Sequence, residues 1–481
     1  MRLYRQTVRL AIPAVLENLS TSIIFLVDAL MVATLGPAAL AAVGLVGVIM
    51  WRLRTMGGIL QIGTTAMVAR RWGENNTKAA CVLFAHSALL GLLIGLGCLF
   101  LHPMAGGIFS LLNAEGDVLA FSVLYFQVVI LAFPLRLAST NMGAAIRAAG
   151  DTRTPMVTTV AANLINVFLN YALIFGKFGF PELGLFGAAI ATAIAFTAEF
   201  LIFLAMGLKG IRPKRLFAVP RVDFPAPDDE EVEVTSAPVP IHPGHEDRQD
   251  VLRLDPAGFR LRVRGSTGTL FRISHPSFWE EAGVSLGFLV FTAMLALFGE
   301  EALAAHSAVI RIESFSFMAG FGISIATATL VGQALGAGEL RAARRTFAIC
   351  LTLSTLFMGS LGIVFSLFPE WFVGWFVHED AAGTFLPLAA MLFLLGALQQ
   401  PFIGSAMVLS GGLRGAGHTI APFVAQLFGT IGARLGAGYL LGFVFGMGIE
   451  GLYIATVLDW VLRTIILGGL VMMGRWERAR A

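Results

Sequence analysis

Long apolar stretches, each about the length of a membrane-spanning helix, alternate along the chain with short polar connections. Roughly 20 helical residues cross a hydrocarbon core of ~30 Å. The apolar runs are continuous and do not alternate with period two, which predicts helices and excludes the strands of a membrane barrel. Twelve spans are predicted, at 10–33, 39–68, 79–101, 118–142, 155–176, 185–207, 277–298, 303–331, 345–368, 384–408, 420–443 and 450–473.

The second six spans repeat the first six in the same order. A shift of 263 residues aligns Glu17 with Glu280 and the sequence ALAA at 39–42 with ALAA at 302–305. Such matches at a constant offset predict a parallel repeat about an axis along the membrane normal. The predicted fold is an all-α polytopic membrane protein with two pseudo-symmetric six-helix lobes. The predicted boundaries are 1–208 for the N-terminal lobe, 209–275 for a cytoplasmic linker loop, and 276–481 for the C-terminal lobe.

The linker differs from the rest of the chain in composition. Its acidic, proline-rich stretch, 225–250, is typical of a disordered segment. Residues 258–273 alternate apolar and basic side chains around a glycine-containing turn, which predicts a small β-hairpin.

Composition and charge agree with a membrane protein. The 481 residues are 57% hydrophobic and 13% charged, whereas soluble domains contain about 25% charged residues. Lys and Arg concentrate at both termini and in the even-numbered connections, so both termini are predicted to be cytoplasmic. The three cysteines have neither a disulfide pattern nor a metal-ligand spacing, and no metal site is expected.

A single carboxylate, Asp28, interrupts the apolar sequence FLVDALMVATLG of the first span. It lies eight residues before Gly36, hence ~12 Å from the outer end of the helix. A charge at this depth is costly unless it is paired, protonated or faces an internal cavity.

Polar side chains of the fifth and sixth spans are the candidate partners of this carboxylate. Asn163, Asn166 and Asn170 share one helix face, and Thr192 adds a hydroxyl. Together with Asp28 they form a candidate site for a proton or a hard cation. The alternative is that the asparagines only join helices, at ~0.6 kcal/mol per hydrogen bond.

Several motifs resemble the MATE (multidrug and toxic compound extrusion) family. They are LVDALMVATLG, VARRWGENNTKAA, IRAAGDTRTPMVTTVAANLINVFLNYALIFG, ALAAHSAVIRIESFSF and VLSGGLRGAGHT, and the resemblance covers the chain outside 215–272. It implies a twelve-helix antiporter that expels mostly cationic, amphipathic compounds in exchange for H⁺ or Na⁺. It also implies that Asp28 is a cation-coupling residue and that Asn166 and Asn170 belong to the same site.

One difference from the family bears on whether the coupling ion is H⁺ or Na⁺. Many relatives carry Asp at the position of Asn170, so this chain has one carboxylate where they have two. A lone carboxyl group in a low-dielectric pocket takes up a proton more readily than one in water. We therefore expect H⁺ coupling rather than Na⁺ coupling.

The C-terminal lobe offers fewer acids. Val284 and Ile403 stand where some members carry acids in the seventh and tenth helices, so a coupling acid is not expected in this lobe. Gln399 and Gln400, just before Pro401, are candidate substrate contacts, with plain packing as the alternative.

Other charged residues within the spans have structural interpretations. Glu17 and Glu280 lie near helix starts, where the helix dipole favours an acid. Asp459 and Arg463, spaced i,i+4, are predicted to pair.

Arg52 and Arg54 of the second span are unusual for the family. They are predicted either to line the substrate cavity or to extend into a wet crevice. In the cavity they would disfavour cationic substrates.

With this resemblance, the predicted function is a secondary antiporter of the plasma (inner) membrane that works by alternating access as a monomer. Its expected partners are small-molecule substrates and membrane lipids, and no nucleic acid. No cofactor is expected besides the coupling ion. One alternative is a lipid-linked oligosaccharide flippase, which Arg52, Arg54 and Arg434 would suit. A membrane enzyme is disfavoured because no catalytic constellation is found, and transport driven by ATP is disfavoured because the sequence has no P-loop.

Overall fold

The computed structural model describes residues 2–213, 251–254, 266–374 and 385–478. Within these residues, 12 helices are long and apolar enough to cross a membrane, which confirms the twelve predicted spans. The helices are α1 (Arg2–Ala33), α2 (Pro37–Gly57), α3 (Leu60–Gly73), α4 (Thr77–Cys98), α5 (Ala105–Leu111), α6 (Gly116–Ala148), α7 (Arg153–Ile174), α8 (Gly184–Lys209), α9 (Ser266–Ala296), α10 (Glu300–Gly336), α11 (Leu340–Leu367), α12 (Pro369–Gly374), α13 (Phe385–Gly415), α14 (Ile420–Leu427) and α15 (Gly448–Met472).

The repeat is visible in how the first helix of each half ends. After α1 the chain turns at Gly36 with φ 111°, and after α9 it turns at Gly299 with φ 100°. These two glycines are 263 residues apart, the same offset that relates the two halves of the sequence. Only glycine adopts this conformation without strain, so both copies need it.

The chain forms two compact units. The N-terminal unit is Leu16–Phe271, and the C-terminal unit comprises Met1–Val15 together with Arg272–Ala481. The start of α1 therefore belongs to the C-terminal unit, where Val15 packs on Gly322 of α10. A Cβ added at Gly322 would lie 2.8 Å from the Val15 backbone nitrogen, so glycine permits this close approach.

The N-terminal unit positions α7 through close contact with α8. A Cβ on Gly187 would lie 2.6 Å from the carbonyl oxygen of Leu173, so the two backbones approach closely at this glycine. Small residues at such contacts let membrane helices pack by van der Waals attraction. This contact fixes the rotation of α7 about its own axis and therefore the direction in which its asparagines face.

The C-terminal unit contains an irregular eleventh span. After α14 the chain continues as a π-helix over Phe428–Ala437 and a second over Leu440–Val444. Such π-helical stretches are rare and are frequently found at functional sites. Arg434 lies in the first of them.

Two segments of the linker, on either side of its acidic stretch, pair with each other beside the end of α8. Ile211 and Leu252 form an antiparallel bridge with N–H to O distances of 2.8 and 2.7 Å. Most of the acidic, proline-rich stretch lies outside the described residues.

The predicted β-hairpin at 258–273 is wrong in its second half, because the chain is helical from Ser266 onwards. Leu270 and Ile273, three residues apart, are both buried. The helical period of the apolar positions therefore outweighs the alternation read from the sequence. Residues 258–265 lie outside the described part of the chain.

Candidate functional site

Asp28 of α1 meets two of the predicted asparagines of α7. The Asn170 Nδ2 donates to Asp28 Oδ1 at 2.6 Å and lies 3.3 Å from Asn166 Oδ1. Asn166 and Asn170 are buried, at 5% and 1% exposure. The carboxylate therefore lies in a site made by neutral amides, with no described Lys or Arg bonded to it.

The Asn166 amide can serve either protonation state of Asp28. It lies 2.9 and 3.0 Å from the two carboxyl oxygens. With its nitrogen toward them, it donates to an ionised carboxylate. With its oxygen toward them, a proton on Asp28 completes the hydrogen bond. Rotation of one amide therefore exchanges one arrangement for the other, because amide oxygen and nitrogen have nearly the same shape.

One acceptor of this site is unused within the described residues. The Asn170 Oδ1 is buried and has no hydrogen-bond partner there. A buried acceptor without a partner costs about 1–3 kcal/mol. An oxygen of this kind beside a carboxylate is suited to a bound cation or to a water that carries a proton.

Thr192 and Asn163 have other direct partners. The Thr192 hydroxyl donates to the Ala188 carbonyl at 3.0 Å and lies 3.2 Å from the Tyr125 hydroxyl. Asn163 Nδ2 donates to Ser20 Oγ at 3.2 Å, one contact by which α7 holds α1. Neither side chain is hydrogen-bonded to Asp28.

Tyr125 of α6 belongs to this region and is missed by sequence reasoning. Its hydroxyl joins Thr192, and it lies within electrostatic range of Asp28. No spacing in the sequence relates α6 to α1, so this neighbour is visible only in three dimensions.

Gln399 and Gln400 of α13 bind an acid of their own unit. The Gln399 Nε2 donates to Glu313 Oε1 at 3.0 Å, and the Gln400 Nε2 lies 3.5 Å from the same oxygen. Gln400 Oε1 accepts the Ser316 hydroxyl. Glu313 of α10 is thus a half-buried carboxylate of the C-terminal unit with two amide neighbours. That this lobe has no coupling acid stays a prediction.

The predicted pair of Asp459 and Arg463 is confirmed, and the structure adds a second arginine. Arg463 Nη2 donates to Asp459 Oδ2 at 2.5 Å. Arg434 Nε lies 2.8 Å from the same oxygen. Asp459 therefore stands between two guanidinium groups.

Glu17 and Glu280 each form an ion pair that the sequence interpretation omitted. Glu17 accepts from Arg147 Nη1 at 2.8 Å, and Glu280 accepts from Arg414 Nη2 at 2.5 Å. Both pairs join the first and fourth spans of their half, so they repeat the internal symmetry.

Arg52 and Arg54 are both half-buried on α2. The Arg54 guanidinium carbon lies 4.5 Å from the ring centre of Trp51 on the same helix. Part of its charge is thus stabilised by a cation–π contact with its own helix.

Comparisons with known proteins agree with the fold. The MatE family model matches residues 13–172 and 276–440, once in each half and together over more than half of the chain. The "Probable multidrug resistance protein NorM" of Thermotoga maritima is 28% identical over 98% of this chain and 93% of its own length. The "Multidrug resistance protein NorM" of Burkholderia vietnamiensis is 29% identical over 93% of this chain and 89% of its own.

A solved structure shares this architecture over nearly the whole chain. It is described as the outward-facing conformation of a multidrug resistance MATE family transporter of the MOP superfamily. It superposes with a TM-score of 0.83 at 19% identity, covering 99% of this chain and 97% of its own. With twelve spans, an internal repeat and a family model that matches each half, the chain belongs to the MatE family and is a MATE transporter rather than an enzyme.

Proposed function

We propose that the protein exports amphipathic, cationic compounds across the plasma membrane in exchange for protons, by alternating access and with both termini cytoplasmic. Relatives that bear the name multidrug resistance protein support export of varied compounds. The observation that carries the proton part is Asp28, a carboxylate within a membrane span, held by Asn166 and Asn170.

The chemistry of the step follows from these contacts. Protonation of Asp28 from outside removes its charge and reverses the hydrogen bond with Asn166, which then accepts instead of donating. The contacts that hold α1 to α7 thereby change, and the affinity for a cationic substrate falls. Linkage requires that substrate and proton weaken each other's binding by the same factor.

A proton suits this site better than a metal ion. Hard metal cations prefer several oxygen ligands, with carboxylates supplying negative charge. Here one carboxylate is surrounded by amides, and one of these amides can adopt either orientation toward it. Such a site can hydrogen-bond to the carboxyl group in its neutral and in its ionised form.

Transport in proteoliposomes with a pH gradient or a Na⁺ gradient imposed separately tests the proposal. We expect uptake of a cationic dye to follow the pH gradient and to ignore the Na⁺ gradient. Transport driven by Na⁺ alone would contradict proton coupling. Transport driven by neither gradient would contradict the proposed exchange.

Asn170 and Asn163 provide a matched pair for the site itself. Asn170→Ala removes the 2.6 Å donor to Asp28. Hydrogen bonds to charged groups contribute about 1.5–3 kcal/mol, so we expect proton-driven transport to fall about tenfold or more.

Asn163→Ala is the control, because it removes only the 3.2 Å bond to Ser20. A loss of ~0.6 kcal/mol predicts a decrease below about threefold. Initial rates of dye efflux at equal protein levels make the comparison. Equal losses for the two variants would mean that these asparagines only join helices.

A further inference from the structure

Four charged side chains lie near one another within the membrane spans of the C-terminal unit. Glu313 belongs to α10, Arg434 to the π-helical stretch, and Asp459 and Arg463 to α15. Asp459 is completely buried and contacts both arginines. Glu313 accepts from Gln399 and lies within electrostatic range of Arg434. Two positive and two negative charges balance, as a low-dielectric interior requires.

The two arginines are held in different ways. Arg463 donates to Asp459, to Gln426 and, at 3.2 Å, to the Thr430 hydroxyl. Arg434 Nε lies 2.8 Å from Asp459, but its N–H is not directed at that oxygen, and Arg434 has no hydrogen bond within the described residues.

Aromatic faces surround the Arg434 charge instead. Its guanidinium carbon lies 5.8 Å from the ring centre of Phe291 and 6.0 Å from that of Trp460. A carboxylate together with aromatic faces is the environment in which proteins bind organic cations.

The internal repeat relates the Phe291 position to that of Asp28 in the N-terminal unit. Phe291 is 263 residues after Asp28, so the position that carries the carboxylate in one half carries an aromatic ring in the other. In the C-terminal unit that ring contacts the guanidinium of the chain itself.

Uncharged polar groups nearby complete the surroundings. His306 Nδ1 lies 2.6 Å from the Tyr453 hydroxyl, and Tyr453 is within electrostatic range of both Glu313 and Arg434. The Gln399 Oε1 is buried without a partner in the described part of the chain, so a further acceptor stands beside Glu313.

We propose that Arg434 is a built-in cation, which fills a site made by Asp459, Glu313, Phe291 and Trp460 that would otherwise bind a free monovalent organic cation of the guanidinium class. Because this cation is part of the chain, it cannot leave the site, and the site exchanges no ion with either side of the membrane. If the function proposed above for Asp28 holds, the N-terminal unit alone carries the exchanged proton.

The variant Arg434→Gln tests this directly in the purified protein. It leaves one uncompensated negative charge, and the apparent Tm should fall by about 5 °C. Methylguanidinium chloride should restore the Tm with saturation at constant pH, and sodium chloride at the same concentration should not. The unmodified protein should respond equally to both salts.

Two further variants separate the explanations. Glu313→Gln combined with Arg434→Gln removes one charge of each sign, so stability should return and the response to methylguanidinium should disappear. Asp28→Asn should leave the response of Arg434→Gln unchanged, so that failure of this proposal and failure of proton coupling at Asp28 remain distinguishable.

Three outcomes would overturn the proposal. Arg434→Gln could be stabilised by lower pH alone, which would mean that a proton neutralises Glu313 and no cation site exists. As the second such outcome, Arg434→Gln could respond neither to methylguanidinium nor to lower pH.

The third outcome concerns Arg434→Lys, which takes the place of Arg434→Gln where that variant does not accumulate. Because the charge remains, its Tm should stay within about 2 °C of the unmodified protein, and a larger loss would count against the role of the charge.

Discussion

Replacing Asp28 with asparagine is expected to abolish proton-driven transport while the protein still folds. The amide has nearly the shape of the carboxyl group and can still bond to Asn166 and Asn170, but it cannot take up a proton. Substrate and proton should then no longer weaken each other's binding, a loss of about 1–3 kcal/mol of coupling or roughly 5–150-fold in affinity. The rate driven by a pH gradient should fall to that of protein-free liposomes. Dye efflux from cells or proteoliposomes measures the change.

Asp117→Asn is the matched control, since Asp117 is an exposed acid in the first turn of α6. Its transport rate should remain that of the unmodified protein. Undiminished proton-driven transport by Asp28→Asn would remove Asp28 from the coupling mechanism. Retained binding of substrate by Asp28→Asn, without transport, would locate the defect in coupling.

Among the substitutions considered, Asp459→Asn is expected to lower the stability of the folded protein most. Asp459 is fully buried between Arg434 and Arg463, so its neutralisation leaves two positive charges facing each other inside the membrane. Breaking a buried ion pair by removing one partner costs about 3–5 kcal/mol. The apparent Tm in detergent and the yield in the membrane should both fall.

Glu477→Gln gives the comparison at an exposed pair. Glu477 accepts from Arg344 Nε at 2.6 Å, but the Arg344 side chain is 67% exposed. Exposed ion pairs contribute little to stability. We therefore expect a smaller decrease in Tm for Glu477→Gln than for Asp459→Asn. Equal Tm values for the two variants would contradict the prediction that the buried ion pairs of Asp459 contribute more to stability.

Several features of the fold follow from the sequence because a bilayer leaves few alternatives. Without water, every backbone group in a span must be bonded within its helix, so long apolar runs become helices. The constant offset of 263 residues predicts the repeat, and Gly36 and Gly299 confirm it in the backbone.

Part of the candidate site also follows from helix geometry. The spacing of Asn166 and Asn170 puts both on one face of α7, and the structure brings that face to Asp28. Asn163, one turn earlier on the same face, bonds to Ser20 instead, because successive turns of α7 meet different levels of α1.

The partners that lie on other helices could not be predicted. Glu313 and Gln399 are 86 residues apart in the sequence. Arg434 contacts Asp459 from within a π-helical stretch, whose register no apolar pattern reveals. By itself the sequence determined the twelve spans, the repeat and the polar face of α7, since these depend on local composition and period. Only the tertiary structure decided which charges meet, because that depends on how each helix is rotated and how closely its neighbours pack.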